Sequence, residues 1–240
     1  MTSRTGKIKS FAFKQFKIHS GGAGMPVSTD GVMLGAWATF QHTDPILDIG
    51  VGTGLLTLML AQRYPDGVIH AIDIEDSAIE DTNNNVAHSQ WQNRIHVFKG
   101  DILSHNFEHT FSGIICNPPY FNSGEQATLK QRATARHTSS LDHRDLLSRC
   151  YRLLNNDGEA SFILPLTEGE HFIKIAQSEG WFIGRRCLVR PTLAKPVNRI
   201  LFTLRKQQTT TIEEQLVIHS PNGGYSDAFI QLTGDFYLKM

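Results

Sequence analysis

The stretch "LDIGVGTGLL", residues 47–56, decides how the rest of the chain is read. The apolar run PILDIG (45–50) reads as a short buried strand that stops at a glycine. GLLTLMLAQRY (54–64) carries Leu55, Leu58, Met59 and Gln62 at helical spacing and stops at Pro65-Asp66-Gly67. Between strand and helix, Gly50, Gly52 and Gly54 let the backbone bend sharply and approach a ligand closely. A dinucleotide fingerprint G-x-G-x-x-G needs glycine at 55, where Leu55 stands, and no G-K-[ST] follows to cradle a phosphate. Asp73 ends the next strand about 20 residues on, where doubly wound folds hold a carboxylate against ribose hydroxyls. Glu75 shares a face with Asp73, so the sequence does not separate the two. The plain alternative for the glycines is a tight turn with no ligand.

Strand and helix patterns alternate on both sides of this loop. VIHAIDI (68–74), RIHVFKGDI (94–102), SGIICN (112–117) and EASFILP (159–165) read as strands. DSAIEDTNNNVAHS (76–89) reads as a helix opened by an Asp-Ser cap, and EGEHFIKIAQSEG (168–180) as a helix closed by Gly180. LDHRDLLSRCYRLLNNDG (141–158) is amphipathic, with Leu146, Leu147, Cys150, Leu153 and Leu154 on one face and a stop at Gly158. WFIGRRCLV (181–189) and NRILFTL (198–204) close the series as an antiparallel edge. The pattern predicts an α/β fold with a seven-stranded, mostly parallel sheet and helices on both faces. It divides one domain into an extension (1–44), a core (45–206) and a strand/helix appendage (207–240). Gly21-Gly22-Ala23-Gly24 reads as a loop between two N-terminal strands, with Phe13 and Phe16 packed on the core.

Composition bounds the function. With 240 residues, 40% hydrophobic and 19% charged, the chain is globular rather than disordered. No apolar run approaches the roughly 20 residues of a membrane helix, and the basic N-terminus lacks a signal-peptide core. Cys116, Cys150 and Cys187 share no metal or redox spacing, so buried free thiols in the cytoplasm are expected. His105 and His109 are four apart, but SHNFEHTF has no helical signal and no nearby cysteine, so no metal is expected. The net charge of zero is unevenly spread. Residues 1–29 hold five Lys/Arg and no acid, residues 181–206 hold seven and no acid, and residues 44–81 hold eight acids against Arg63. Such segregation builds either a basic face that suits nucleic acid or a scatter of solvated charge.

The D-x-G-x-G-x-G run from Asp48 to Gly54, with Asp73 beyond it, resembles motifs I and II of Rossmann-like class I S-adenosylmethionine methyltransferases. The resemblance implies that Asp48, Gly50, Gly52 and Gly54 hold the methionine half of S-adenosyl-L-methionine and that Asp73 holds its ribose. It also implies that Asp101, in GDI (100–102), contacts the adenine.

The fourth strand ends in Asn117-Pro118-Pro119-Tyr120, which resembles motif IV of amino-methyltransferases. Two prolines cannot continue the strand. An exocyclic adenine amine, like a glutamine amide, is a poor nucleophile because its lone pair is delocalised. Two acceptors on its hydrogens favour a pyramidal nitrogen with a localised pair. The Asn117 side chain supplies one carbonyl and the Pro118 backbone the other. Pro118 and Pro119 fix the turn, and Tyr120 offers a flat face worth on the order of 1–3 kcal/mol to a stacked base. Asn as a local cap in a proline-rich turn is the bland alternative.

Motif IV leaves the amine open; the flanks bear on it. "FAFKQFKIHSGGAGMPVSTDGVMLGAW" (11–37), "LDIGVGTGLLTLMLAQR", "NPPYF", "ATLKQRATARHTSSLDH" (127–143) and "YSDAFIQLTGDFYLKM" (225–240) resemble the bacterial tRNA1(Val) adenine N6-methyltransferase family over nearly the whole chain. The resemblance implies methylation of the anticodon-loop adenine just 3′ of the anticodon, by a protein that binds the tRNA anticodon stem-loop; a monomer is expected, with nothing in the sequence to fix it. It implies that Thr29 and Asp30 lie near the methionine end of the cofactor, although either could instead cap the following helix. Lys130, Arg132, Arg136, Arg185, Arg186 and Arg190 are the expected phosphate contacts, with solvated surface charge as their alternative. Val51 stands where many relatives have a smaller residue. A protein glutamine N5-methyltransferase and a non-catalytic RNA-binding module are the competing readings. The first more usually has a separate N-terminal helical domain, and only about 45 residues precede the first core strand here.

Overall fold

Strand β3 (Ile46–Ile49) is buried at every position, as a parallel strand covered on both faces must be. It lies between β4 (Ile69–Asp73) and β6 (Phe111–Cys116), both parallel to it. The computed structural model that defines these elements describes residues 9–21, 27–40, 45–119 and 142–240. Outward from β4 lies β5 (Ile95–Lys99). Outward from β6 lie β7 (Leu154–Pro165), β9 (Arg199–Arg205), β8 (Phe182–Arg190) and β10 (Ile212–Val217), in that order. The chain therefore reverses direction across the sheet between β3 and β6, and the cleft above that point is where open α/β sheets bind ligands.

Alternate residues along each strand feed two cores. Ile46, Ile115, Ile163 and Leu201 pack under α1 (Thr29–Trp37), α2 (Leu55–Arg63) and α6 (Asp227–Thr233). Leu47, Ile114, Phe162 and Phe202 pack under α4 (His143–Leu153) and α5 (Leu166–Ser178). A hairpin of β1 (Lys9–Ala12) and β2 (Lys17–Ser20) lies outside the sheet and packs against α3 (Asp76–Ala87).

The α/β class stands, with four differences of detail. The antiparallel strand is not at the edge: β9 pairs antiparallel with both β7 and β8, and β8 continues into parallel β10. Strand order across a sheet is set by packing partners and is not written locally in the chain. β10 makes the sheet eight-stranded, its exposed Ile212 and Glu213 giving little strand-core signal. The helix expected to reach Gly158 ends at Leu153, because Leu154 turns to pair with Phe111 at a bulge and starts β7. The N-terminal turn is Phe13–Phe16, held by Phe13 N–H donating to Phe16 O at 2.8 Å and by stacked rings 4.6 Å apart. Gly21 follows β2 instead of joining the two strands.

Candidate active site

The glycine loop at the end of β3 is built from positive φ angles, 74° at Gly50, 57° at Gly52 and 82° at Gly54, which side-chain-bearing residues rarely adopt. The bend turns its amides onto β4. Gly50 N–H donates to Ile72 O at 2.9 Å and Gly52 N–H to Asp73 Oδ2 at 3.0 Å. A Cβ placed on Gly50 or Gly52 would meet no described residue within 4 Å, so both leave room above the loop. One on Gly54 would meet Thr82 Cγ2 at 3.2 Å, so that glycine serves the packing of α2 on α3.

Asp73 and Glu75 differ in setting. Asp73 Oδ1 accepts from Glu75 N–H at 3.0 Å, so both carboxylate oxygens are aimed by backbone donors. Glu75 is the exposed N-cap of α3, and its side chain makes no capping bond. Asp48 lies fully buried beneath the loop, where its Oδ2 accepts from Thr57 Oγ1 at 2.6 Å and its Oδ1 has no partner among the described residues. Burial pushes its carboxyl up to about 7 against the opposing Thr57 bond, and the Asp73 charge pushes the same way. An orphaned buried acceptor beneath an open glycine cradle suits a ligand that brings a cation.

The N-terminal hairpin walls this cradle. Asn85 on α3 accepts from His19 N–H at 2.9 Å and donates to His19 O and Thr53 O, each at 2.8 Å, while Gly21 N–H donates to Asp81 Oδ1 at 2.9 Å. Thr57, Asp81 and Asn85 escaped the sequence reading; within the polar run 81–85 of α3, Asp81, Thr82 and Asn85 are buried while Asn83 and Asn84 are exposed. Ser28 is the N-cap of α1, accepting from Gly31 N–H at 2.9 Å, so neither Thr29 nor Asp30 caps it. Thr29 is exposed, and Asp30 pairs with Arg199 of β9 at 2.8 Å. Asp101 lies in the turn after β5, with Leu103 N–H donating to its Oδ1 at 2.9 Å.

The β3–β6 register ends with Ile49 opposite Cys116, so Gly50 and Asn117 are the first residues past the same paired position. Asn117 is half-buried, Pro118 buried and Pro119 exposed. Among the described residues the Asn117 amide has no hydrogen-bond partner. Burial holds the Cys116 thiol well above its usual range, so it is inert. Tyr120, Lys130, Arg132 and Arg136 lie outside the described residues. Of the other expected RNA contacts, Arg185 lies 4.3 Å over the Trp37 ring and pairs with Glu214 at 3.0 Å, and Arg186 pairs with Glu213 at 3.3 Å. Arg190 ends β8 at the same sheet edge as Asn117.

Comparison with known proteins bears on this arrangement. A family model for the methyltransferase small domain matches residues 33–147. A predicted O-methyltransferase from Agrobacterium tumefaciens superposes with a TM-score of 0.68 at 16% identity, over 86% of this chain and 96% of its own. The likeness shows the Rossmann-like fold, and with the full-length relatives that follow it defines the class, an S-adenosylmethionine-dependent methyltransferase. The tRNA1(Val) (adenine(37)-N6)-methyltransferase of Vibrio vulnificus strain YJ016 is 57% identical over 100% of both chains. That of Vibrio cholerae strain M66-2 is 54% identical over 99% of both. The chain belongs to the tRNA1(Val) (adenine(37)-N6)-methyltransferase family.

Proposed function

We propose that the protein methylates the exocyclic N6 of adenine 37 in the anticodon loop of tRNA1(Val). Full-length identity to relatives of that name supports the substrate. The observation that carries the chemistry is an Asn117 amide with no partner among the described residues, directly after the strand residue Cys116 that pairs with Ile49 of the glycine-loop strand. S-adenosylmethionine, when bound, supplies a methyl group on a sulfonium that a weak nucleophile can accept.

Every other contribution comes from the chain. Gly50 and Gly52 leave room for the methionine half, and the free Oδ1 of Asp48 lies beneath to accept from its cationic end. Asp73, with both oxygens oriented, receives the ribose hydroxyls, a role its anchoring favours over Glu75. Asp101 borders the adenine side. Asn117 Oδ1 and the Pro118 carbonyl accept the two hydrogens of the target amine, localising its lone pair and lining it up for in-line attack. The product nitrogen is briefly cationic and sheds its proton readily, so no strong base is needed. An anticodon loop is single-stranded, so its base reaches such a cleft at modest cost. Tyr120 is the stacking face in this reading, and Lys130, Arg132 and Arg136 hold phosphates. With it goes a monomer acting in the cytoplasm, in keeping with three free, buried cysteines.

The test is methyl transfer from labelled cofactor to unmodified bulk tRNA, followed by nucleoside analysis. Label is expected in N6-methyladenosine. Label found only in protein would favour a glutamine acceptor instead.

A further inference from the structure

Residues 181–206 carry seven basic side chains and no acid, and the fold consumes five of them. Arg185 and Arg186 pair with Glu214 and Glu213, Arg199 with Asp30 and Arg205 with Glu159. Lys206 donates to Leu154 O at 2.6 Å and lies over the Tyr151 ring. Arg190 and Lys195 remain, with no hydrogen bond or ion pair to another described residue from either side chain. Both stand at the edge where the parallel strands end. Lys195 is exposed on a turn closed by its own N–H donating to Thr192 O at 3.2 Å.

A pair of stacked rings is tied to the backbone at Arg190 and Pro191. Past the end of β10, Ile218 N–H donates to Arg190 O and His219 N–H to Pro191 O, each at 2.9 Å. His219 then pairs across a tight turn with Tyr225, and their rings stack 5.4 Å apart at 16°. Gly223 and Gly224, at φ of 90° and 73°, make that turn possible. The Tyr225 ring stacks in turn on buried Phe229 at 4.8 Å, so it is braced from behind, yet 37% of it is exposed. Exposed rings already locked in place lose little freedom when a base stacks on them.

We propose that Arg190, Lys195, His219 and Tyr225 form a second RNA-contact surface, the two cations taking phosphates and the ring pair taking an unpaired base or the end of a base stack. The proposal rests on the tRNA reading above and adds where the RNA is gripped. The charge favours it, because these are the two cations of the segment with no hydrogen bond or ion pair to another described residue. At about 4.8 Å per strand, β10 lies roughly 19 Å from β6, so this surface holds nucleotides other than the target adenine.

The test is tRNA binding by the full-length protein, followed by filter retention over a range of salt. Arg190→Ala with Lys195→Ala is expected to lower the slope of log affinity against log salt by about 1.4 to 1.8, two phosphate contacts' worth. Tyr225→Ala is expected to weaken binding about five- to tenfold with the slope intact, and Tyr225→Phe, which keeps the ring, to recover that loss. Cofactor affinity, read by calorimetry, reports that each variant is folded. An unchanged slope in the folded Arg190/Lys195 variant overturns the proposal, as does tyrosine-independent binding in folded Tyr225→Ala. Wild-type protein that methylates tRNA while these variants bind normally would sink this surface alone. Wild-type protein that methylates no tRNA would sink the reading beneath it.

Discussion

The two sides of the β3–β6 switch are finished to different degrees. On the β4 side nearly every polar group of the cradle is committed: Gly50 and Gly52 to β4, Asp73 to two backbone amides, Thr82 to Gly52 O, Asn85 to the hairpin and the loop. On the β6 side Asn117 has no partner among the described residues. A satisfied buried network is rigid, so the β4 side is shaped before anything binds. In the function proposed above, the β6 side keeps its hydrogen-bonding capacity for a substrate that arrives later. Asp48 Oδ1 is the exception on the finished side, a buried acceptor left open beneath the cradle.

Four measurements break or sharpen this contrast. Asn117→Ala should lower turnover by about 10²–10³-fold while leaving cofactor affinity nearly unchanged, because it removes an acceptor needed only by the reacting amine. Near-normal turnover would remove Asn117 from the chemistry.

Asp48 should give the cofactor-free protein a pH signature. Its folded carboxyl titrates at about 7 against an ordinary 3.8, so the folded state holds the proton more tightly than the unfolded chain. The stability this gives is fully present below pH 3.8 and lost as pH rises through about 7, on the order of a few kcal/mol in all. Thermal unfolding midpoints should therefore fall across that window in the wild type and fall less in Asp48→Asn. Equal slopes in the two proteins would show that Asp48 does not carry the effect.

Gly52→Ala and Gly54→Ala separate cradle from packing. The first sends a methyl into open space and should weaken cofactor binding about tenfold or more, with about 1 kcal/mol of backbone strain. The second meets Thr82 and should show mainly as lost stability. Chemical denaturation with calorimetric titration of each variant distinguishes the two.

The smallest effect is expected at Arg185. Its Ala variant should lose about 1 kcal/mol of stability, from the Trp37 face and the Glu214 pair, and keep the wild-type salt slope for tRNA. A reduced slope would return Arg185 to the RNA surface.

Local patterns revealed most of the strands, the glycine loop and the Asn-Pro-Pro turn, because each is a short run with its own physical signature. What escaped depends on distant partners. Leu154 keeps helical spacing from Cys150 and only its pairing with Phe111 makes it a strand residue. Asp30 and Arg199 are 169 residues apart, and nothing near either one announces the other. The Asn85 bolt looked like helix surface until a hairpin from the other end of the sequence lay against it. The basic run at 181–206 looked like one surface, yet five of its seven charges face acids, a ring or a carbonyl supplied by other elements.

The hairpin has one more consequence, and it concerns time. Lys14 N–H donates to Phe236 O at 2.8 Å, its ammonium reaches Gly234 O across 220 residues of chain, and Phe13 bridges to Tyr237. The hairpin is thus fastened by a segment made 220 residues after it. Until residues 234–237 are made, the glycine loop can form but the wall beside it hangs unclasped. A nascent chain that stops short of residue 234 would carry the whole glycine loop and still lack the clasp on its hairpin.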